Sequence, residues 1–218
     1  MTRFLVFVLL MIFCATPVSA TENERASEWK LAIEKKLQQD ASVDFEDMPL
    51  LDCVEFLSKM YEIPILLDPM YREEEGGLGV SLKLKGIRLK DVLSILCSLK
   101  GVVLKIACGS VVLARVERAA SLPRTVPSFG SGAGKGLQKK LATLRSNLEF
   151  KDCPLKVVVK SYNEILDSSI VVSPRLGKKK VTFFLKDFRV DQGLALLAWG
   201  VEGRVEYRHS VIQVIPVQ

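Results

Sequence analysis

The segment 43–69, VDFEDMPLLDCVEFLSKMYEIPILLDP, recurs without a gap at 148–174 as LEFKDCPLKVVVKSYNEILDSSIVVSP. Phe45 matches Phe150, Asp47 matches Asp152, Pro49 matches Pro154, Leu50 matches Leu155 and Pro69 matches Pro174, all at a spacing of 105 positions. A duplication this long constrains the fold more than any other feature, because both copies must be able to adopt the same structure.

Each copy reads as strand, helix, strand. Ser42 to Phe45 alternates in character, as a half-buried strand does. Asp47 stands near the expected helix cap, where a carboxylate meets free N–H groups and the positive end of the helix dipole. Pro49 suits a first helical turn, where its missing N–H is not needed. Leu50, Cys53, Val54, Leu57 and Tyr61 then form one apolar stripe. Ile63 to Leu67 reads as a buried strand ended by Asp68 and Pro69.

After Pro69 the first copy carries a glutamate- and glycine-rich insertion, Tyr71 to Gly79, which the second shortens to Arg175 to Lys179. The alignment resumes at a spacing of 101: Val80 with Val181, Leu84 with Leu185, Leu93 with Leu194. Val80, Leu82 and Leu84 alternate as a strand, and so do Val181, Phe183 and Leu185. A second helix follows, Leu89 to Leu99 and Val190 to Trp199, with Gly193 a weak point in its interior. Each copy closes in a hairpin, turning at Cys108-Gly109-Ser110 and at Arg208-His209-Ser210. The expected fold is α/β of the α+β type: two βαββαββ units, each with two helices packed on a small mixed sheet.

The expected organisation is a signal peptide over 1–20, a lead-in helix over 21–40, repeat 1 over 41–115, a linker over 116–142 and repeat 2 over 143–218. Arg3, the apolar run Phe4 to Phe13 and the small residues Val18-Ser19-Ala20 have the pattern of a cleaved leader, with cleavage after Ala20. Phe13 before Cys14 speaks against a lipoprotein site. The lead-in helix offers Trp29, Leu31, Ile33 and Leu37 as its apolar side. The linker holds Pro123, Pro127 and the run 129–136, FGSGAGKG, which lacks the spacing of a phosphate-binding loop. The mature chain is expected to be exported, periplasmic and without an integral membrane segment.

Candidate chemistry is sparse. His209, the one histidine, sits at an expected hairpin tip with no orienting partner or nucleophile in view. Glu73, Glu74 and Glu75 lack the alternating spacing of a calcium loop. Gly76 to Gly79 precedes a strand rather than joining two helices, unlike an RNA-clamping loop. Cys53, Cys97, Cys108 and Cys153 lack paired metal-ligand spacing. Three of them align with apolar residues (Cys53 with Val158, Cys97 with Ala198, Cys153 with Met48), which suits core thiols, while export also permits disulfides. No catalytic residue, cofactor or metal site is expected. The net charge of +6 comes from interspersed signs, which describes a solvated surface rather than a nucleic-acid footprint. Arg175, Lys178, Lys179 and Lys180 form the best candidate for an anion or partner contact.

The pattern Phe45-x-Asp47-x-Pro49-Leu50, then Ile65 to Pro69, Val80-x-Leu82-x-Leu84 and Leu89-x-x-Val92-Leu93-x-x-Leu96, resembles the short N-terminal domain of secretins and TonB-dependent receptors. The second copy matches at Phe150-x-Asp152-x-Pro154-Leu155 and Val171 to Pro174, with Glu62 and Asp167 where that family usually has glycine. The resemblance implies a non-catalytic, periplasmic module that docks other envelope proteins, as in a secretin-type secretion or pilus system or a TonB-type system. Docking is expected at a sheet edge, which offers unpaired N–H and C=O groups, or in a helix–sheet groove. The alternative is binding of cell-wall glycan or another polyanion through the basic loop of repeat 2.

Overall fold

The computed structural model describes residues 22–68, 71, 79–123, 135–208 and 211–217, without the side chains of 22–27 and 135. The expected leader, the residues between Tyr71 and Gly79, most of the glycine-rich run and His209 lie outside them. In chain order the elements are α1 (Glu22–Leu37), β1 (Asp40–Met48), α2 (Leu50–Tyr61), β2 (Ile65–Leu67), β3 (Val80–Arg88), α3 (Leu89–Lys100), β4 (Val102–Ala107) and β5 (Ser110–Arg115). Then come α4 (Val116–Ala119), α5 (Lys135–Thr143), β6 (Arg145–Pro154), α6 (Leu155–Leu166), β7 (Ile170–Val172), β8 (Lys180–Arg189), α7 (Val190–Gly200), β9 (Gly203–Arg208) and β10 (Val211–Pro216). The fold is mixed α/β, and the βαββαββ order runs twice, β1 to β5 and β6 to β10.

The two units agree at the level of backbone conformation. The antiparallel pair β1–β3 sets Phe45 opposite Leu82 and Val43 opposite Leu84, and β6–β8 sets Phe150 opposite Phe183 and Leu148 opposite Leu185. Both pairs are interrupted at matched places, Phe45/Met48 and Phe150/Cys153. Left-handed φ angles also recur in register: Asp47 (45°) with Asp152 (50°), Glu62 (50°) with Asp167 (49°), Gly86 (64°) with Asp187 (49°), Gly101 (65°) with Glu202 (58°). A non-glycine residue reaches this region at a cost of roughly 1–2 kcal/mol, so the shared backbone overrides local preference at six side chains across the two units, Asp47, Glu62, Asp152, Asp167, Asp187 and Glu202.

Several expectations change in detail. The strands of a unit divide between two sheets: a two-stranded one (β1–β3 or β6–β8) and a three-stranded one in the order β2-β5-β4 or β7-β10-β9. In the latter the first strand runs parallel to the middle one and the hairpin partner antiparallel. Asp47 does not cap α2. It is the left-handed residue of a bulge, and its N–H donates to Ser81 Oγ at 3.0 Å, as Asp152 N–H does to Thr182 Oγ1 at 3.0 Å. Pro49 and Pro154 are the cap residues themselves, one position before the helix, with no side-chain capping bond. Aspartate suits the bulge because its short polar side chain tolerates this conformation better than most. The Cys108-Gly109 turn has positive φ at both residues, as a two-residue hairpin turn matched to strand twist requires.

The lead-in helix ends at Leu37, and β1 begins at Asp40. Ile33 and Leu37 enter the unit 1 core, but Leu31 is 64% exposed and so does not belong to the apolar side. The expected linker over 116–142 contains α4 and most of α5. Leu141 of α5 is buried in the unit 2 core, much as Leu37 of α1 is in unit 1. The N–H of Val190 bonds the carbonyl after α5 (Leu144), just as that of Leu89 bonds Gln39 after α1. The repeated unit therefore begins with its lead-in helix.

Among the described residues no disulfide joins Cys53, Cys97, Cys108 and Cys153. Burial raises the Cys97 thiol to about 11 and, with a contribution from the Asp191 charge, the Cys108 thiol to about 12. Cys53, Cys97 and Cys108 are buried and fill core volume, while Cys153 is half-buried.

Candidate functional site

The basic loop of unit 2 is a tight turn. Ser173 C=O accepts from Leu176 and Gly177, and Lys179 C=O accepts from Leu155 N–H at 2.8 Å, at the start of α6. Leu176 anchors the turn in the core. Of the four candidate cations, Arg175 and Lys178 are exposed. Lys179 Nζ donates to Val201 O at 2.8 Å and to Glu202 Oε2 at 2.7 Å, and Lys180 pairs with Asp152. The hydrogen bond from Lys179 is the main cause that lowers the Glu202 pKa. Two of the four charges are thus matched within the chain, and the turn functions structurally by holding the start of α6.

The larger feature is the junction between the units, which the sequence did not reveal. Strand β5 is buried along Ser110 to Ala114, on both faces. Val111 and Leu113 belong to the core of unit 1, whereas Leu66, Val112 and Ala114 belong to the core of unit 2. The outer face of the β2-β5-β4 sheet therefore closes the second core. Helix α7 pays no surface to solvent: every residue from Val190 to Gly200 is buried. Its counterpart α3 keeps Lys90, Ser94 and Ser98 exposed. A helix that is apolar all round is a buried helix, and the run Leu194 to Trp199, LALLAW, was the signal available in the sequence. The apolar run Val111 to Ala114 similarly marks a strand covered on both sides.

Polar groups fix the register of this junction. Asp68, 1% exposed, accepts from Arg118 Nη1 and from the N–H of Arg115 at 3.3 Å. Arg118 Nη2 donates to Trp199 O at 2.8 Å, and its guanidinium lies 4.6 Å from the Trp199 ring centroid. Trp199 Nε1 donates to Ser121 Oγ at 3.1 Å. One charged pair thus joins the end of β2, the helix after β5 and the core helix of unit 2. At the rim, Lys59 bonds Glu149 at 3.1 Å and sits 5.2 Å from the Phe184 ring centroid, while Lys151 pairs with Asp52 and Glu55. The hydrogen bond from Lys59 is the main cause that lowers the Glu55 pKa, with Lys151 adding to it.

On another side of the junction the units leave a groove of about 630 Å³. Trp29 and Pro64, half-buried, and the core residues Ile63 and Phe188 line it, together with Lys36, Arg145, Lys186 and Arg189 and with Glu28, Glu62 and Asp187. Gln192, 4% exposed, also lines it, and its Nε2 has no hydrogen-bond partner among the described residues. Lys186 crosses the groove to Glu62, and Arg145 bonds Asp187 at 3.0 Å. The Lys186 hydrogen bond holds the Glu62 carboxyl below its usual range. Among the described residues there is no group of three or more histidine, cysteine or acidic residues able to hold a metal ion. No described helix is long and apolar enough to cross a membrane.

No protein-family model matches the chain, and no curated protein matches it. Among solved structures it is similar to the 43 kDa tail protein of prophage MuSo2 from Shewanella oneidensis, at 14% identity and a TM-score of 0.28, over 64% of this chain. The chain spans 34% of that protein's length, and a likeness at this score carries no argument about fold or function.

Proposed function

We propose that the chain is a non-catalytic interaction module of the bacterial cell envelope, exported by a leader cleaved after Ala20, in which two fused repeats present one docking surface. The observation that carries this reading is the junction groove, because both units build it and neither unit alone would have it. Its lining includes Trp29, Arg145 and Arg189, residue types enriched in protein–protein contacts. The duplicated Asp-x-Pro-Leu corner and the resemblance to the short secretin and TonB N-terminal domain support the compartment and the kind of partner, another envelope protein. A polyanion reading would rest on Arg175 and Lys178 alone, with Lys179 and Lys180 already matched.

The test is site-specific photo-crosslinking in the producing cell. A photoreactive residue at Ala142, half-buried in the groove wall, is compared with one at Ser98, exposed on α3. A single envelope protein captured from position 142 and absent at position 98 is expected. The same pattern from both positions, or none from either, counts against docking at this surface. N-terminal sequencing of the mature chain is expected to begin at Thr21.

A further inference from the structure

We propose that the junction groove holds a short extended peptide segment of the partner, with a backbone amide of that segment received by Gln192. This deepens the docking reading and rests on it. A buried N–H without an acceptor raises the free energy of the empty state, and a ligand that supplies the acceptor recovers that loss. Gln192 carries such a group, its Nε2 buried, and lines a groove large enough for a small ligand. Its carboxamide is the chemical twin of a peptide group, with one C=O and an N–H donor, so it complements a backbone rather than a particular side chain. Gly109 holds it in place: a Cβ there would stand 2.9 Å from Gln192 Oε1 and 3.1 Å from Nε2. The hairpin tip can approach the amide only because that residue has no side chain.

The charges argue against an anionic ligand. Asp191 already occupies the start of α7, where it accepts the Gln192 N–H at 2.7 Å and pairs with Arg189. Lys36 donates to the Glu62 carbonyl, Lys186 to the Glu62 carboxylate and Arg145 to Asp187. Each lining cation already donates a hydrogen bond, so an anionic ligand would compete with existing partners, whereas an uncharged segment would not. Half-buried Trp29 and Pro64 provide the apolar surface that a peptide side chain needs beside its backbone.

The experiment pans a display library of short random peptides on the mature chain and measures recovered peptides by fluorescence anisotropy. Expected binders lose about tenfold or more in affinity with Ala142→Trp, which fills the groove, and about three- to tenfold with Gln192→Leu, which removes the amide. They are unchanged by Ser98→Trp and nearly insensitive to salt. Circular dichroism checks each variant; if Gln192→Leu does not fold, the Ala142→Trp result decides. No recovered binder, binders indifferent to Ala142→Trp, or binding that collapses with salt each overturns the proposal. If these failures occur while the position-142 cross-link persists, the docking reading survives and only the peptide occupant is wrong.

Discussion

Gly193 and Tyr162 offer a direct test of how the duplicated units diverged. At the same positions unit 1 has Val92 and Leu57, both fully buried. Tyr162 is fully buried too, its hydroxyl has no hydrogen-bond partner among the described residues, and burial pushes its pKa upward. A Cβ on Gly193 would lie 2.2 Å from Tyr162 Oη and 3.4 Å from Cζ. The glycine in the helix interior is therefore the space the tyrosine occupies. Volume has been moved from one helix to the other, and the expected weak point in α7 has a packing reason.

The double-mutant cycle follows. Gly193→Val alone gains about 0.5 kcal/mol of helix propensity but forces a rigid, enclosed ring to move, for a net loss of about 2–3 kcal/mol. Tyr162→Leu alone removes an unsatisfied hydroxyl but leaves a cavity, for a net loss of about 2 kcal/mol. Together they rebuild the Leu57–Val92 arrangement, and the pair should fall within about 1 kcal/mol of the parent. The coupling is then about 3 kcal/mol, at the upper end for contacting residues. Urea unfolding followed by circular dichroism supplies the free energies, provided the m-values agree between variants. Losses that add to within about 0.5 kcal/mol would refute the compensation argument.

Other consequences are open to the same kind of measurement. Arg118→Ala strips the buried Asp68 of its strongest partner and should lower stability by about 3 kcal/mol, with a red shift of Trp199 emission read in a Trp29→Phe background; an unshifted spectrum would mean the junction does not depend on this pair. Asp167→Gly, at a left-handed position where the carboxylate is 97% exposed, should raise stability by about 0.5–1 kcal/mol in urea titrations, and a loss would contradict the strain assigned there. The thiols of Cys97 and Cys108 titrate higher folded than unfolded (9.0), so the stability they contribute is complete below pH 9 and declines as pH rises toward about 11 and 12. Of Cys53, Cys97, Cys108 and Cys153, the half-buried Cys153 alone should react readily with a thiol reagent at neutral pH in the folded chain, and reductant should leave electrophoretic mobility unchanged. Glu55 and Glu202 are depressed, so their contribution is present above 4.5 and lost as pH falls through the lowered folded values; Glu55→Gln should flatten the acid limb of a stability profile.

The fold was legible where the physics is local and repeated. Alternation in Val80-x-Leu82-x-Leu84, the stripe from Leu50 through Leu57, and the second copy of each identified the elements and their order. The corner was misread because a sequence does not distinguish a cap from a bulge: Asp47 is chemically suited to both, and only the pairing of β1 with β3 selects the bulge. The basic loop looked like a binding site because a run of lysines does not show that Glu202 and Asp152, remote in sequence, face two of them. The groove was invisible for a related reason. It is made by α1, the end of α2, β8 and the start of α7, which are joined only by the docking of one unit on the other.

That docking is made once, and the side chains explain why. In unit 1 the outer sheet face presents Leu66 beside Val112, with Lys105 exposed on the edge strand of that row, and Ala114 beside Val103. The matched rows in unit 2 hold Val171, Gln213 and Glu206, then Ile215 and Arg204, with Arg208 at the next row. Glu206 pairs with both arginines, so this face is bound up in charge. The receiving helix differs in the same sense: α7 offers Ala195 and Trp199, where α3 offers Ser94 and Ser98. A head-to-tail interface that does not close on itself would otherwise extend into a filament. Here the apolar donor face exists only on the first unit and the apolar receiving helix only on the second. Charge on the free sheet and serines on the free helix cap the two ends, so that the groove at the single junction is the surface this pairing creates.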